Sequence, residues 1–270
     1  MKIRPFDPST YLTARVDHRF SDKAFVFGRW TWNDSYSRQF LGNLPTIGQN
    51  QQRRDVRNAN LSFTYNVKSN LVNEFRSGIS FNNNPLNPPT SGKQIVSQLG
   101  LVGLVDNLPD IQGLFKVRFS GLGLTAIDVP NNWRSPGNRE FNYTFQDLVS
   151  WFHARHSVKA GIIIAPHFHA DKLASPDLFG TTTFTNRFTG FPYADFLLGI
   201  PSTAARAYPP IGYRRHWLND NFFVTDDFKV NSKLTLNLGV RYEYRTNFTE
   251  ANGREAIFDV NTGKISPTCT

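Results

Sequence analysis

Leu234-Thr-Leu-Asn-Leu-Gly-Val-Arg-Tyr-Glu-Tyr-Arg245 is the stretch whose reading decides the fold. Leu234, Leu236, Leu238, Val240, Tyr242 and Tyr244 share one parity, while Thr235, Asn237, Gly239, Arg241, Glu243 and Arg245 share the other. Side chains of a strand point alternately to two faces, so this spacing predicts a strand with one apolar and one polar face. A helical period would scatter the same residues around the whole circumference. Just ahead of the stretch lies a short polar turn, Val230-Asn-Ser-Lys233.

The pattern recurs along the chain. Ala59, Leu61, Phe63, Tyr65 and Val67 alternate with Asn60, Ser62, Thr64 and Asn66. Noisier alternation runs through Leu12–Phe20, Val26–Asn33, Glu74–Phe81, Phe141–Trp151, Ser157–Ile164 and Phe222–Lys229. Asp147 falls on the apolar parity, which predicts a bulge there. The count is about eight strands of roughly ten residues, the length a tilted strand needs to cross a bilayer. Tight polar turns also occur at Phe20-Ser-Asp-Lys23, Val67-Lys-Ser-Asn70 and Ala154-Arg-His-Ser157. Between one hairpin and the next run long segments near Gln39–Gln52, Asn82–Asn138 and Asp171–Arg214. Tight turns at one end and long loops at the other are the signature of an outer-membrane barrel wall.

The polar parity carries Arg, Glu, Lys and Asp, which no soluble barrel would bury. Aromatics gather near strand ends. The expected arrangement is therefore all-β: an antiparallel up-and-down transmembrane β-barrel wall with long extracellular loops. In it Phe63, Leu236 and Leu238 face lipid, with an aromatic girdle of Trp30, Trp32, Tyr65, Phe81, Tyr143, Trp151, Tyr242 and Tyr244. Arg29, Glu74, Arg76, Asn237, Arg241 and Glu243 are expected to face the lumen. The alternative is a soluble or secreted antiparallel β-sheet binding module, for carbohydrate as an example, with one wet face.

Composition fits a thin apolar band. Hydrophobic content of 39% is low for a thick core, while the aromatic share is high at 14%. No run approaches the roughly 18 apolar residues of a membrane helix, so any spanning is done by strands. Met1-Lys-Ile-Arg-Pro-Phe-Asp7 contains no apolar export segment, and Ile265-Ser-Pro-Thr-Cys-Thr270 reads as loop. The expectation is a partial barrel over residues 1–270, without signal peptide, plug or coupling box. The single cysteine, Cys269, excludes an internal disulfide framework. The net charge of +9 is spread over strands and turns, so no nucleic-acid partner is expected. The one dense basic group, Arg53-Arg-Asp-Val-Arg57, is placed to meet lipopolysaccharide phosphates or anionic solutes.

Catalytic chemistry finds no support. His167 and His169 share a strand face, and His153 and His156 flank a turn, but no carboxylate or cysteine stands at ligand spacing along the chain. Asp226 and Asp227 are adjacent and so point to opposite faces. No cofactor or metal is expected. Within the second long loop, Ile95–Leu104 reads as a short amphipathic helix and Phe115–Ser120 as an added strand.

The segment Asn221–Tyr244 resembles a hairpin of the TonB-dependent receptor barrels. Pro192-Tyr-Ala-Asp-Phe-Leu-Leu-Gly-Ile-Pro-Ser202, Arg155-His-Ser-Val-Lys-Ala-Gly161, and Gly253-Arg254 followed by Phe258-Asp-Val-Asn-Thr-Gly263 are similar to segments of its Oar-like branch, common in acidobacteria. The resemblance implies a parent barrel of about 22 strands with a plugged lumen. It implies transport of a bulky solute, energised by an inner-membrane complex that acts through a plug, with outer-membrane lipid and lipopolysaccharide as surroundings.

Overall fold

The computed structural model describes residues 7–40, 49–87, 92–98, 115–121, 123–127, 138–171, 179–206 and 212–267, together with Gly100 and Val102. Eight long strands form one continuous sheet in the order β1 (Ser9–Arg19), β2 (Ala24–Phe40), β3 (Gln49–Lys68), β4 (Leu71–Asn83), β7 (Asn138–His153), β8 (His156–Asp171), β11 (Tyr213–Lys229) and β12 (Thr235–Arg245). All neighbours on this path pair antiparallel. The order is that of an up-and-down meander. Two short strands, β5 (Leu86–Asn87) and β13 (Thr249–Glu250), add to it beside β3 and β11. Among the described residues the sheet does not close, and β1 and β12 are its two ends.

Alternating connections put the four tight turns on one rim. Their chemistry is local. Ser21 Oγ accepts from the N–H groups of Lys23 and Ala24 at 3.2 Å, and Asn231 Oδ1 accepts from Lys233 and Leu234 at 2.8 and 3.0 Å. Such short side chains substitute for a backbone acceptor and fix the reversal. The first three turns are also tied to the next hairpin. Asn66 N–H donates to Lys23 O, Phe152 N–H to Asn70 O, and Lys229 N–H to Arg155 O, all at 2.8–2.9 Å.

The opposite rim carries the long connections. At the two ends of the expected loop near Gln39–Gln52 the described residues are strand, because β2 and β3 stay paired as far as Phe40 and Gln49; residues 41–48 lie outside the described residues. The alternation fades there because cross-strand polar contacts replace apolar ones: Arg53 pairs with Asp34 at 2.9 Å and Trp32 Nε1 donates to Asp55 at 3.1 Å. The second connection holds β5, a helix α1 (Gly92–Gln98) and β6 (Lys116–Phe119). The added strand forms where its sequence placed it. The helix lies earlier than expected, over Gly92–Gln98, and buries Val96 completely; Leu99, Leu101, Gly103 and Leu104 lie outside the described residues.

The third connection holds β9 (Thr181–Phe184), α2 (Pro192–Leu197) and β10 (Thr203–Ala205). β9 joins β6 in parallel and β10 in antiparallel, so two loops distant in sequence share one three-stranded sheet. Its core is aromatic, with Phe119, Phe184 and Phe196 centroids 5.3–6.0 Å apart. Beyond β12, β14 (Ala256–Asp259) and β15 (Lys264–Pro267) form a separate hairpin.

One glycine is set by a close approach. A Cβ on Gly161 of β8 would lie 2.6 Å from the Phe223 ring, which occupies the space above it. Gly161→Ala is expected to displace that ring and cost about 1–3 kcal/mol. Urea unfolding of the protein in lipid vesicles measures the loss; an unchanged midpoint would show that the ring moves freely.

Candidate functional site

The strand register sorts side chains into two faces without interruption. One face carries, row by row, Leu12, Trp32, Arg57, Phe81, Phe141 and Phe168, or Ala14, Trp30, Ala59, Ile79 and Tyr143. Farther along it run Ile162, Phe222 and Tyr242, and then His156, Phe228 and Leu236. Every residue of the expected lipid-facing set lies on this face. Arg29, Glu74, Arg76, Asn237, Arg241 and Glu243 all lie on the other.

Five acids break the apolar face: Asp34, Asp55, Asp147, Asp220 and Asp226. The bulge expected at Asp147 is absent, since Phe75, Asp147 and Ile162 stay in register. The chain keeps regular pairing because Asn73 Nδ2 donates to Asp147 Oδ1 at 2.6 Å and satisfies the carboxylate in place. The irregularity lies instead between Asn66 and Lys68, beside a turn. Asp226 contacts His156 Nδ1 at 2.6 Å, while Asp227 points to the opposite face, as adjacency requires.

The polar face contains a groove of about 590 Å³. Carboxamides of Asn58, Asn60, Asn142 and Gln146 line it, with hydroxyls of Ser62, Ser80 and Thr144 and the guanidiniums of Arg29 and Arg76. Gly78 leaves a gap into which Asn60 Oδ1 reaches, 2.9 Å from where a Cβ would stand. Charges on this face pair along single strands at i, i+2. Arg15 binds Asp17 at 2.7 Å, Arg76 binds Glu74 at 2.6 Å, and Arg241 binds Glu243 and also Asn221. All are exposed pairs that water screens, so they tune charge more than stability. Arg29 has no such partner among the described residues.

Toward the loop rim the same face holds a polar relay that sequence reading missed. His167 Nδ1 meets Asn142 Oδ1 at 2.7 Å and its Nε2 meets Asn219 Nδ2 at 2.9 Å, while Trp217 stacks on the ring at 5.1 Å. His169 lies 3.3 Å from both Glu140 and Asp171. These carboxylates come from β7 and the end of β8, and only the folded register brings Glu140 near. Among the described residues no group of three or more His, Cys, Asp or Glu is arranged to hold a metal.

The loop motif around α2 is built on Asp195, which is fully buried. Its oxygens accept from the N–H of Phe188 and Thr189 at 3.2 and 2.8 Å and from the Thr189 hydroxyl at 2.6 Å. Burial pushes its carboxyl up, but those three donors outweigh burial and hold it below the usual range. Glu250 shows the same balance. The N–H groups of Arg254, Arg214 and Asn252 overcome burial and bring it down to about 2. Both groups stabilise the loops above about pH 4, and that contribution is lost as pH falls toward their depressed values. Around Asp195 the loop presents Phe188, Phe191, Leu197 and Leu198, each about half or more exposed.

With this geometry in view, comparison with known proteins is informative. Residues 4–270 match the family model described as outer membrane beta barrel domain, and the chain belongs to that family. Among solved structures, the outer membrane transporter YddB from Escherichia coli matches with a TM-score of 0.53 at 10% identity. The match covers 88% of this chain and 28% of that one, so it shows the fold alone. No curated protein matches. The fold is thus an antiparallel outer-membrane barrel sheet, and the protein resides in the outer membrane. This displaces the alternative of a soluble or secreted binding module. No helix among the described residues is long and apolar enough to cross a membrane.

Asp195→Ala is expected to free the turn it holds, since losing an acceptor for buried donors costs about 1–3 kcal/mol. Trypsin cleavage after Arg187 should then quicken by roughly tenfold or more. Unchanged cleavage would show that the loop is held by other contacts.

Proposed function

We propose that the chain forms part of the wall of an energised outer-membrane transporter for a bulky solute. Its apolar face contacts lipid and its polar face lines the lumen. The observation that carries this reading is the continuous register of all eight strands, which gathers the apolar parity on one face, interrupted by five acids, with aromatics near both of its ends. Along β7, Trp151 and Phe141 bracket the apolar stretch. Ten residues at about 3.3 Å, tilted as barrel strands are, give roughly 25 Å, the height of an outer-membrane apolar band.

The lumen-side groove supports passage more than catalysis. Its amides and hydroxyls offer many weak hydrogen bonds, and of its two charges Arg76 is neutralised by Glu74 at i, i+2, so a polar solute would be held without being trapped. The loop sheet formed by β6, β9 and β10, with the exposed Phe188, Phe191 and Leu197 nearby in the chain, supplies the surface that grips the solute outside. Energy would reach such a wall through a plug and an inner-membrane coupling complex, as the TonB-dependent receptor and Oar-like resemblance implies.

Orientation is tested by a pair of variants. Leu236→Arg should cost about 2–4 kcal/mol in lipid vesicles, and Asn237→Arg far less. Equal penalties would reverse or abolish the assignment. Energised uptake is tested in producing cells by collapsing the inner-membrane proton gradient. Solute accumulation should stop, whereas continued entry would mark a passive pore.

A further inference from the structure

A cup on the apolar-parity face lies just beyond the loop-side aromatics. Register places Arg139 of β7, Ala170 of β8 and Arg214 of β11 side by side, and the next row toward the turns is Phe141, Phe168 and His216. Because Ala170 is small, the space between the arginines stays open, as a cup of about 250 Å³ lined by these six residues and their neighbours. Phe168 is 45% exposed and stacks on His216 at 6.2 Å.

Both arginines are exposed, and neither guanidinium has a hydrogen bond or ion pair among the described residues. Others on this face differ: Arg53 is spent on Asp34 and Arg57 on Asp55. Glu250, next in the chain to Ala251 of the lining, gives its oxygens to the backbone N–H groups of Arg214, Asn252 and Arg254. Glu140 and Asp171 flank His169 on the opposite face. Two strand spacings separate the arginine backbones by about 10 Å, which leaves room for a tetrahedral anion between two planar forks. An aromatic floor directly below, toward the hydrocarbon, suits acyl chains. A soluble anion would have no use for it.

We propose that this cup binds the phosphate of a phosphorylated glycolipid of the outer leaflet. Arg139 and Arg214 fork its oxygens, while Phe141 and Phe168 bear on its acyl chains. The proposal rests on the outward orientation argued above, which the Leu236→Arg and Asn237→Arg pair tests separately.

Protein extracted from outer membranes in dodecylmaltoside is mixed with phosphorylated lipid A or with its dephosphorylated form, and retention is read by native mass spectrometry. The phosphorylated form should be retained about tenfold better, the equivalent of one charge-assisted hydrogen bond. Arg139→Gln with Arg214→Gln should erase that preference, and Ala170→Leu should weaken it by filling the cup with both charges left in place. Arg53→Gln should leave it intact. A heat-modifiability gel shift confirms that each variant is folded. No phosphate preference in the wild type, or full retention by the folded double variant or by Ala170→Leu, would overturn the proposal. Displacement by equimolar inorganic phosphate would reassign the cup to soluble anions and overturn it as a lipid site.

Discussion

Everything in this molecule depends on pairing backbone N–H and C=O groups where no water is available to take them. In hydrocarbon each unmet group costs several kcal/mol, roughly, so spanning strands tolerate few register faults. The β8–β11 ladder shows the consequence, running in step from Asp171 and Tyr213 to His156 and Phe228. The shift recorded along the eight-strand path sits at Asn66 and Lys68, beside a turn. Even Asp147 does not break the ladder; a side-chain bond from Asn73 answers its polarity instead.

Fixed register then dictates how charge is managed. On the polar face the residue across from Arg15 is Arg29, and those across from Arg241 and Glu243 are Phe223 and Asn221. Cross-strand neighbours therefore supply no counterion, and pairing falls to residues two positions along the same strand. Such pairs stay hydrated and avoid the desolvation penalty of a buried ion pair. The same face can thus be strongly polar without needing a tightly fitted interior.

Period-two alternation made the sheet legible from sequence wherever one side of a strand meets lipid. It therefore located Leu234–Arg245 and Asn58–Val67 well, and the register groups the girdle residues on one face and the polar-parity residues on the other. It fell short toward the loop rim, where polar contacts replace apolar ones: Arg53 pairs with Asp34 and Trp32 donates to Asp55 across strands, and the ladder continues to Phe40 and Gln49, inside the segment read as loop. It failed again for the parallel pairing of β6 with β9, which joins Lys116–Phe119 to Thr181–Phe184 across a long separation that no local pattern records. Asp195 was invisible for a related reason. Its donors at Phe188 and Thr189 are backbone and hydroxyl groups whose approach depends on the turn itself.

The edges of the sheet carry the last consequence. Residues of β1 and β12 are exposed throughout, and among the described residues each strand has one side without a partner. An open edge is not sustainable in lipid, so both strands require further strands to pair with. Pairing β1 directly to β12 would satisfy the backbone but create an eight-stranded barrel, whose interior is only just wide enough for its own side chains. Arg15, Asp17, Arg29, Arg76, Glu74, Arg241 and Glu243 would then have to be desolvated together. Their i, i+2 geometry leaves each pair half-exposed and unfit for that burial. With the polar face inward, as proposed, its polarity calls for a wider barrel than these strands alone can close, with a lumen that keeps those charges in contact with water or with a polar domain.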